Sequence, residues 1–258
     1  MSFIDFEQHD GVAIVTLNRP EKLNSLTREM ILALSDLFRG FAQDASLRAV
    51  ILTGTGEKAF CVGTDISELT AGKESEGQDI SKRGQTLCDL IERCPVPVIA
   101  AINGLAVGGG CELALACHIR LATTNARFSL PEAKLGIIPG YGGTQRMPRE
   151  LGLSRALEIM LAGREVAAAA AERLGLINRR VDAASLLTEA KSLAHDIAKL
   201  APIAIRACLE SVRVGLGLSL DEGLAVETRL FAELFATADM REGTRAFLEK
   251  RAPAFKGE

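Results

Sequence analysis

Two carboxylates and a run of glycines are the parts of this sequence that could do chemistry. In NGLAVGGGCELALAC, residues 103–117, Gly108, Gly109 and Gly110 hand the chain to an otherwise apolar helical run that carries one charge, Glu112. Glycines let a backbone come close to a ligand and aim its N–H groups at it. A helix N-terminus adds positive partial charge at the same place. The combination is suited to holding an anion, or an oxygen on which negative charge develops, beside a carboxylate. Glu112 could be explained by the helix macrodipole alone, which favours acids in a first turn. Its neighbours Leu113, Ala114, Leu115 and Ala116 are apolar on every side, however, which places it inside, where an acid without a purpose is costly. The second acid, Glu132, also has a structural explanation, because Ser129-x-x-Glu132 with Pro131 fits a capping box. Taken together the two stand out, since each adjoins a glycine-rich turn: GGG before Glu112 and LGIIPGYGG after Glu132.

Other chemistries find little support. GTGEKAF misses the spacing of a phosphate loop and GLAVGGG misses GxGxxG. No Ser or Cys sits in a GxSxG elbow. His9, His118 and His195 stand in unrelated contexts, which favours ordinary polar roles. Arg146 and Arg149 read as packing or surface pairs. The six cysteines form no CxxC pair and have no zinc-like histidine spacing, so we expect reduced, mostly buried thiols, no metal and a cytoplasmic protein. The start, MSFIDFEQHDG, resembles neither a signal nor a transit peptide. With 30 basic and 33 acidic residues, net −3, the chain as a whole is not built for nucleic acid or an anionic membrane. The apolar stretch 96–117 is broken by Asn103, glycines and Glu112, and reads as strand, turn and helix, not as a membrane span.

The elements that must position these acids can be read in outline. Ile4–Phe6 and Val12–Leu17 predict a hairpin around His9-Asp10-Gly11, and Thr27 a cap for a helix with Met30, Leu34, Leu37, Phe38 and Phe41 on one side. Ala49–Leu52 reads as a buried strand, and the polar, glycine-punctuated segment 71–84 as a mobile surface loop. A helix at 87–91, the central strand and turn, a strand at 118–123 and an extended piece at 128–130 follow. Helices are expected at 154–162, 167–173, 185–199, 202–213, 219–235 and 239–250, the last two with capping boxes Ser219-x-x-Glu222 and Asp239-x-x-Glu242. The shift from strand-and-glycine to helix near residue 200 predicts a mixed α/β core, 1–199, followed by a helical section, 200–258.

KAFCVGTDISEL, PVIAAINGLAVGGGCELALACHIRLAT, FSLPEAKLGIIPGYGGTQRMPR and LAGREVAAAAAERLGLINRRV, in this order, resemble the enoyl-CoA hydratase/isomerase (crotonase) superfamily, and LNRPEKLNSL and FLEKRAPAFKG extend the likeness to both ends. The resemblance implies an α/β spiral of ββα units with C-terminal helices that build trimers, commonly paired into hexamers. It implies acyl-CoA thioester substrates, with coenzyme A part of the substrate and no separate cofactor. It also implies an enolate stabilised by two backbone N–H groups, here those of Thr64 and Gly109. Glu112 and Glu132 fall where hydratases of the family carry paired acids, Glu112 chiefly holding and activating water and Glu132 chiefly exchanging a proton at C2. Isomerases need only the second, so retention of Glu112 favours hydration over isomerisation or dehydration of a specialised acyl-CoA. By position, Lys22, Leu23 and Thr64, Asp65, Ile66 and Ser67 should line the CoA site, with Phe255 and Lys256 as contributors. Thr64 replaces the usual alanine, Ser67 stands where many members have lysine, and Tyr141 adds a ring beside Gly140 near the reacting carbons. One branch of the family binds RNA through a lysine-rich first helix. TREMILALSDLFRGFAQ has no lysine, and counterion-release binding lacks its charges there.

Overall fold

In the computed structural model, which describes residues 3–69 and 73–258, the chain opens with the antiparallel hairpin β1 (Ile4–His9) and β2 (Val12–Leu17). Asp10 and Gly11 between them both take positive φ, 51° and 77°, as a tight two-residue hairpin turn requires. Helix α1 (Arg28–Phe41) is capped as predicted, the Met30 N–H donating to Thr27 Oγ1 at 3.3 Å.

Three ββα units follow. The first is β3 (Ala49–Gly54), β4 (Ala59–Cys61) and α2 (Glu74–Glu92); the second β5 (Val98–Ile102), β6 (Leu105–Val107) and α3 (Gly109–Ala116); the third β7 (Ile119–Thr123), β8 (Arg127–Ser129) and α4 (Gly143–Leu151). After α5 (Leu153–Ala162), β9 (Val166–Ala167) and α6 (Ala168–Leu174) comes the last strand, β10 (Arg179–Val181). First strands of the units lie side by side in a sheet of order β1-β2-β3-β5-β7-β10, and second strands in another of order β4-β6-β8-β9. β2, β3, β5, β7 and β10 are successively parallel, as are β4, β6 and β8, so the chain advances by one strand per unit and winds as a spiral. Side-chain alternation explains the layers. Ala13, Val15, Leu17, Val50 and Leu52 point into a core shared with α1, α2 and α3, while Val12, Ile14, Ala49, Ile51 and Ile99 meet Leu186, Ala190 and Ala194 of α7 (Leu186–Ala198). Strands buried on both faces read as the continuous apolar runs AVIL and VIAAI.

Asn103 ties the inner turns together. Its Nδ2 donates to the carbonyls of Gly56 (2.6 Å) and Ala59 (3.0 Å), and its Oδ1 accepts from the Gly54 N–H at 3.2 Å.

Two expectations are corrected and one further helix is found. Of the segment read as a surface loop, Ala71 and Gly72 lie outside the described residues, and Glu74–Gly84 is the first half of α2. Its buried positions Gly84, Leu87, Cys88 and Ile91 recur at helical spacing, and Ile80 packs beneath them, so tertiary burial overrides two glycines. The stretch after Tyr141 forms α4, begun by Gly142 with φ 106° and containing Pro148. Finally, α10 (Ala238–Glu249) is capped by Thr237, not Asp239. Because that helix starts earlier, the Asp239 carboxylate is free to accept the N–H groups of Lys256 (2.7 Å) and Gly257 (2.8 Å), pinning the C-terminus. The Ser219–Glu222 box does open α9 (Leu220–Leu234), which packs on α8 (Pro202–Gly215).

Candidate active site

The second-strand sheet brings Thr64 and Gly109 together. β4 and β6 pair Ala59 with Leu105, and then, after a bulge, Cys61 with Ala106. Past the strand ends the chain turns at Gly63, φ 86°, which lies against the start of α3 just before Thr64. The contact is close: a Cβ on Gly63 would lie 2.8 Å from the Gly109 nitrogen. Thr64 is held on its other side by Leu26, whose N–H donates to Gly63 O (2.7 Å) and whose carbonyl accepts from Asp65 N–H (2.9 Å). Among the described residues no acceptor meets the N–H of Thr64 or of Gly109, the first residue of α3. Both line a cavity of about 900 Å³. Two residues with unspent donors, one at a helix N-terminus, thus share one cavity wall.

Glu112 and Glu132 line the same cavity. Glu112, 2% exposed, rides the first turn of the wholly buried helix α3. Its Oε1 accepts the N–H groups of Tyr141 (2.8 Å) and Gly143 (2.6 Å), so its side chain is spent on the turn that leads into α4. Gly143 must be glycine there, since a Cβ would stand 2.9 Å from Oε1. Burial pushes the Glu112 acid up to about 7, and the charge of Glu132 adds to this, against the two N–H groups, which favour the ionised form.

Glu132 begins the 3₁₀ turn Glu132–Leu135, where the expected capping box does not form. Ser129 ends β8, and Pro131, which has no side-chain acceptor to offer, is the cap residue. Oε2 of Glu132 is buried without a hydrogen-bond partner, and Oε1 lies over Gly108, 2.9 Å from where a Cβ would be. Burial raises its pKa as well. Burial thus raises both acids, Glu132 with only its own backbone N–H to favour the charged form and Glu112 against the N–H groups of Tyr141 and Gly143.

Tyr141, 3% exposed, is placed by three elements. α2 supplies Ser81 Oγ and Gln85 Nε2, which donate to the Gly140 carbonyl at 2.6 and 3.2 Å. It also supplies Gly84, where any Cβ would overlap the tyrosine ring. From α4, Arg146 Nη1 donates to the Tyr141 carbonyl (3.1 Å) while its Nε donates to Glu92 at 3.0 Å, the structural pair expected for it. Across the cavity wall, the phenol and Thr64 Oγ1 are hydrogen-bonded at 2.7 Å.

The remaining predicted positions divide. Ile66 and Gly140 line the cavity; Lys22, Leu23, Asp65 and Ser67 do not. Asp65 is paired with Arg19 at 2.6 Å, whose hydrogen bond holds the acid down at about 2, and its Oδ1 caps Ser67. Lys22 ends the 3₁₀ turn Pro20–Lys22 and Leu23 follows at φ 53°. Phe255 and Lys256 lie against α10, beside Gly243 and Asp239. Sequence reasoning missed Gly84, Ser81 and Gln85. A glycine inside an apolar helical stripe marks close approach, and in SKRGQTLCDLIE that signal was readable once the helix was. His118 is structural, its Nδ1 accepting from the Val98 N–H at 2.9 Å. Among the described residues no cluster of acids, histidines and cysteines could hold a metal ion.

The chain is similar to known proteins along its whole length. The chain is 40% identical over 245 residues to the short-chain-enoyl-CoA hydratase of Clostridium acetobutylicum, covering 95% of this chain and 94% of that one. It is 38% identical over 252 residues to the crotonyl-CoA hydratase of Syntrophomonas wolfei, covering 98% and 97%. The crystal structure of an enoyl-CoA hydratase from Bacillus anthracis superimposes with a TM-score of 0.97 at 40% identity, over 100% of both chains. Residues 7–258 match the family model of enoyl-CoA hydratase/isomerase, and the chain belongs to that family.

Proposed function

We propose that this chain is a trans-2-enoyl-CoA hydratase, adding water reversibly across C2–C3 to give a 3-hydroxyacyl-CoA. The observation that carries the reading is the convergence of two raised-pKa carboxyls, Glu112 and Glu132, and two unspent N–H donors, Thr64 and Gly109, on one largely apolar cavity. A thioester carbonyl seated between the two N–H groups is polarised, and the enolate oxygen that forms on addition is stabilised by them; losing one such donor typically costs about 3 kcal/mol. Ionised Glu112 takes a proton from water as its oxygen bonds to C3, the C2–C3 π pair moves towards the thioester, and the enolate collapses as protonated Glu132 delivers a proton to C2. One proton enters the pair and one leaves it, so it returns to its starting charge by internal transfer, and it titrates as a unit.

Val62, Ile80, Leu135, Ile137 and Ile138 in the cavity wall offer apolar surface to an acyl chain and its thioester arm. Ile66, Gly140 and Tyr141 belong to that substrate wall, while Lys22, Leu23, Asp65 and Ser67 serve the outer CoA portion from beside it. Coenzyme A arrives with the substrate and no further cofactor is used. The helices of residues 200–258 carry apolar side chains such as Leu220, Phe231 and Phe247, exposed at 78%, 62% and 83%, and in this reading they join copies of the chain into a trimer or a pair of trimers in the cytoplasm.

Purified protein given crotonyl-CoA is expected to bleach the conjugated-thioester absorbance; no loss with crotonyl-CoA or longer enoyl thioesters overturns the reading. Replacing Glu112 with Gln should abolish hydration while sparing any isomerisation that uses Glu132 alone.

A further inference from the structure

We infer that Tyr141 is a positioning residue that ties one half of the oxyanion hole to the water-activating acid, acting through its phenol on Thr64 and through its backbone on Glu112. The inference rests on the hydratase reading and deepens it. Thr64 does not lie in a regular element; it follows β4 and is fixed by Leu26 on one side only. On the cavity side its sole anchor among the described residues is the 2.7 Å hydrogen bond between its Oγ1 and Tyr141 Oη. The same tyrosine gives its N–H to Glu112 Oε1 at 2.8 Å. Its ring is clamped between two glycines, Gly84, which leaves no room for a Cβ, and Gly109, whose Cβ would stand 3.1 Å from the ring carbons. One buried residue therefore touches the Thr64 segment, the Gly109 turn and the Glu112 carboxylate. A phenol in the unionised form is what this role needs, and burial keeps it so, pushing Tyr141 up to about 12.

A donor that must meet a developing oxyanion has to be held tightly, because a displacement of about 1 Å can cost about a hundredfold in rate. Removing a brace that loosens the donor without displacing it should cost less, about tenfold. The expectation is thus a fall in kcat of about tenfold for Tyr141→Phe with KM little changed, since the ring still fills its slot and only the hydrogen bond is lost. Thr64→Val, which removes the same bond from the other side, should fall comparably, and Thr64→Ser should fall less than Thr64→Val. The double variant Tyr141→Phe, Thr64→Val should be no worse than about the poorer single one, because both remove one interaction.

The chain contains one tyrosine and no tryptophan, so tyrosine optical signals report this residue alone. Near-ultraviolet circular dichroism of the tyrosine band should change in Thr64→Val and be largely retained in Thr64→Ser, a readout independent of turnover. If the native protein hydrates no enoyl thioester, the functional reading fails, and the dichroism still decides whether the brace exists. An unchanged tyrosine band in Thr64→Val overturns the proposal. So does a Tyr141→Phe enzyme with native kcat, a loss confined to KM, or single-variant losses that multiply in the double variant.

Discussion

Glu112 is the residue at which stability and chemistry pull in opposite directions. Its folded value of about 7 lies above the ordinary 4.5, so between those two values the folded state holds a proton that the unfolded chain has released. The stabilising contribution is fully present below about 4.5 and is lost as pH rises through about 7, on the order of 3 kcal/mol in all. Glutamine carries no charge to desolvate, and its oxygen can still accept the Tyr141 and Gly143 N–H groups. Denaturant titrations at fixed protein concentration should therefore show Glu112→Gln gaining on the native protein as pH rises from about 5 to about 8. A difference that stays flat with pH would show that Glu112 is not a buried acid of raised pKa. The same titration should govern turnover: in the proposed mechanism hydration needs ionised Glu112, so kcat should decline as pH falls below about 7.

Among the elements, α2 matters most and was least legible. The sequence announced Glu112 and the glycines before it because an acid in an apolar helix and glycines at a helix start are local anomalies, whereas Thr64 came only from the family resemblance. α2 showed no anomaly. Its first half is polar and carries Gly77 and Gly84, so local propensity pointed to a loop; burial of Leu87, Cys88 and Ile91 settles it as a helix, and burial is a property of the rest of the fold. α4 was hidden in the same way by Gly142, Gly143 and Pro148, residues that serve the carboxylate and the turn before they serve the helix. What could not be read was the reason for Gly84, since nothing near it in sequence is the tyrosine it accommodates. Gly84→Ala tests the element directly. Alanine ordinarily favours a helix over glycine by roughly 1 kcal/mol, yet here the added methyl meets the Tyr141 ring and must displace it. The expected outcome is a loss of about 1–3 kcal/mol in stability together with reduced kcat. A more stable and fully active variant would show that the ring has room to move.

For the whole molecule, the spiral explains why the groups that line the cavity come from three separate units. Thr64 follows the second strand of the first unit, Gly109 and Glu112 follow that of the second, and Glu132 and Tyr141 follow that of the third. Parallel winding stacks those three exits on one end of a sheet. The exposed apolar side chains of the last helices belong to a different task. Phe247 and Leu248, 83% and 81% exposed at the end of α10, are costly to leave in water, and a second copy of the chain is the partner we propose for them. Phe247→Asp with Leu248→Asp should shift the mass measured by light scattering towards a single chain of 27.5 kDa. A native protein that already runs at that mass would overturn the assembly.

The bulge between Ala59 and Cys61 has a consequence of measure. Neighbouring strands lie about 4.8 Å apart, and an oxygen held about 2.9 Å from a donor on each sees the two donors roughly 110° apart, close to the angle between lone pairs on a tetrahedral oxygen. In the proposed reading the sheet thus sets the scale of the oxyanion hole, and the Tyr141 phenol holds its Thr64 side to that scale. What the bulge sets is the choice of residue at the mark. The register that leaves the sheet is that of Cys61 and Ala106, one residue advanced on that of Ala59 and Leu105, and the chain past β4 delivers Gly63 against the Gly109 nitrogen with Thr64, and its hydroxyl, next after it.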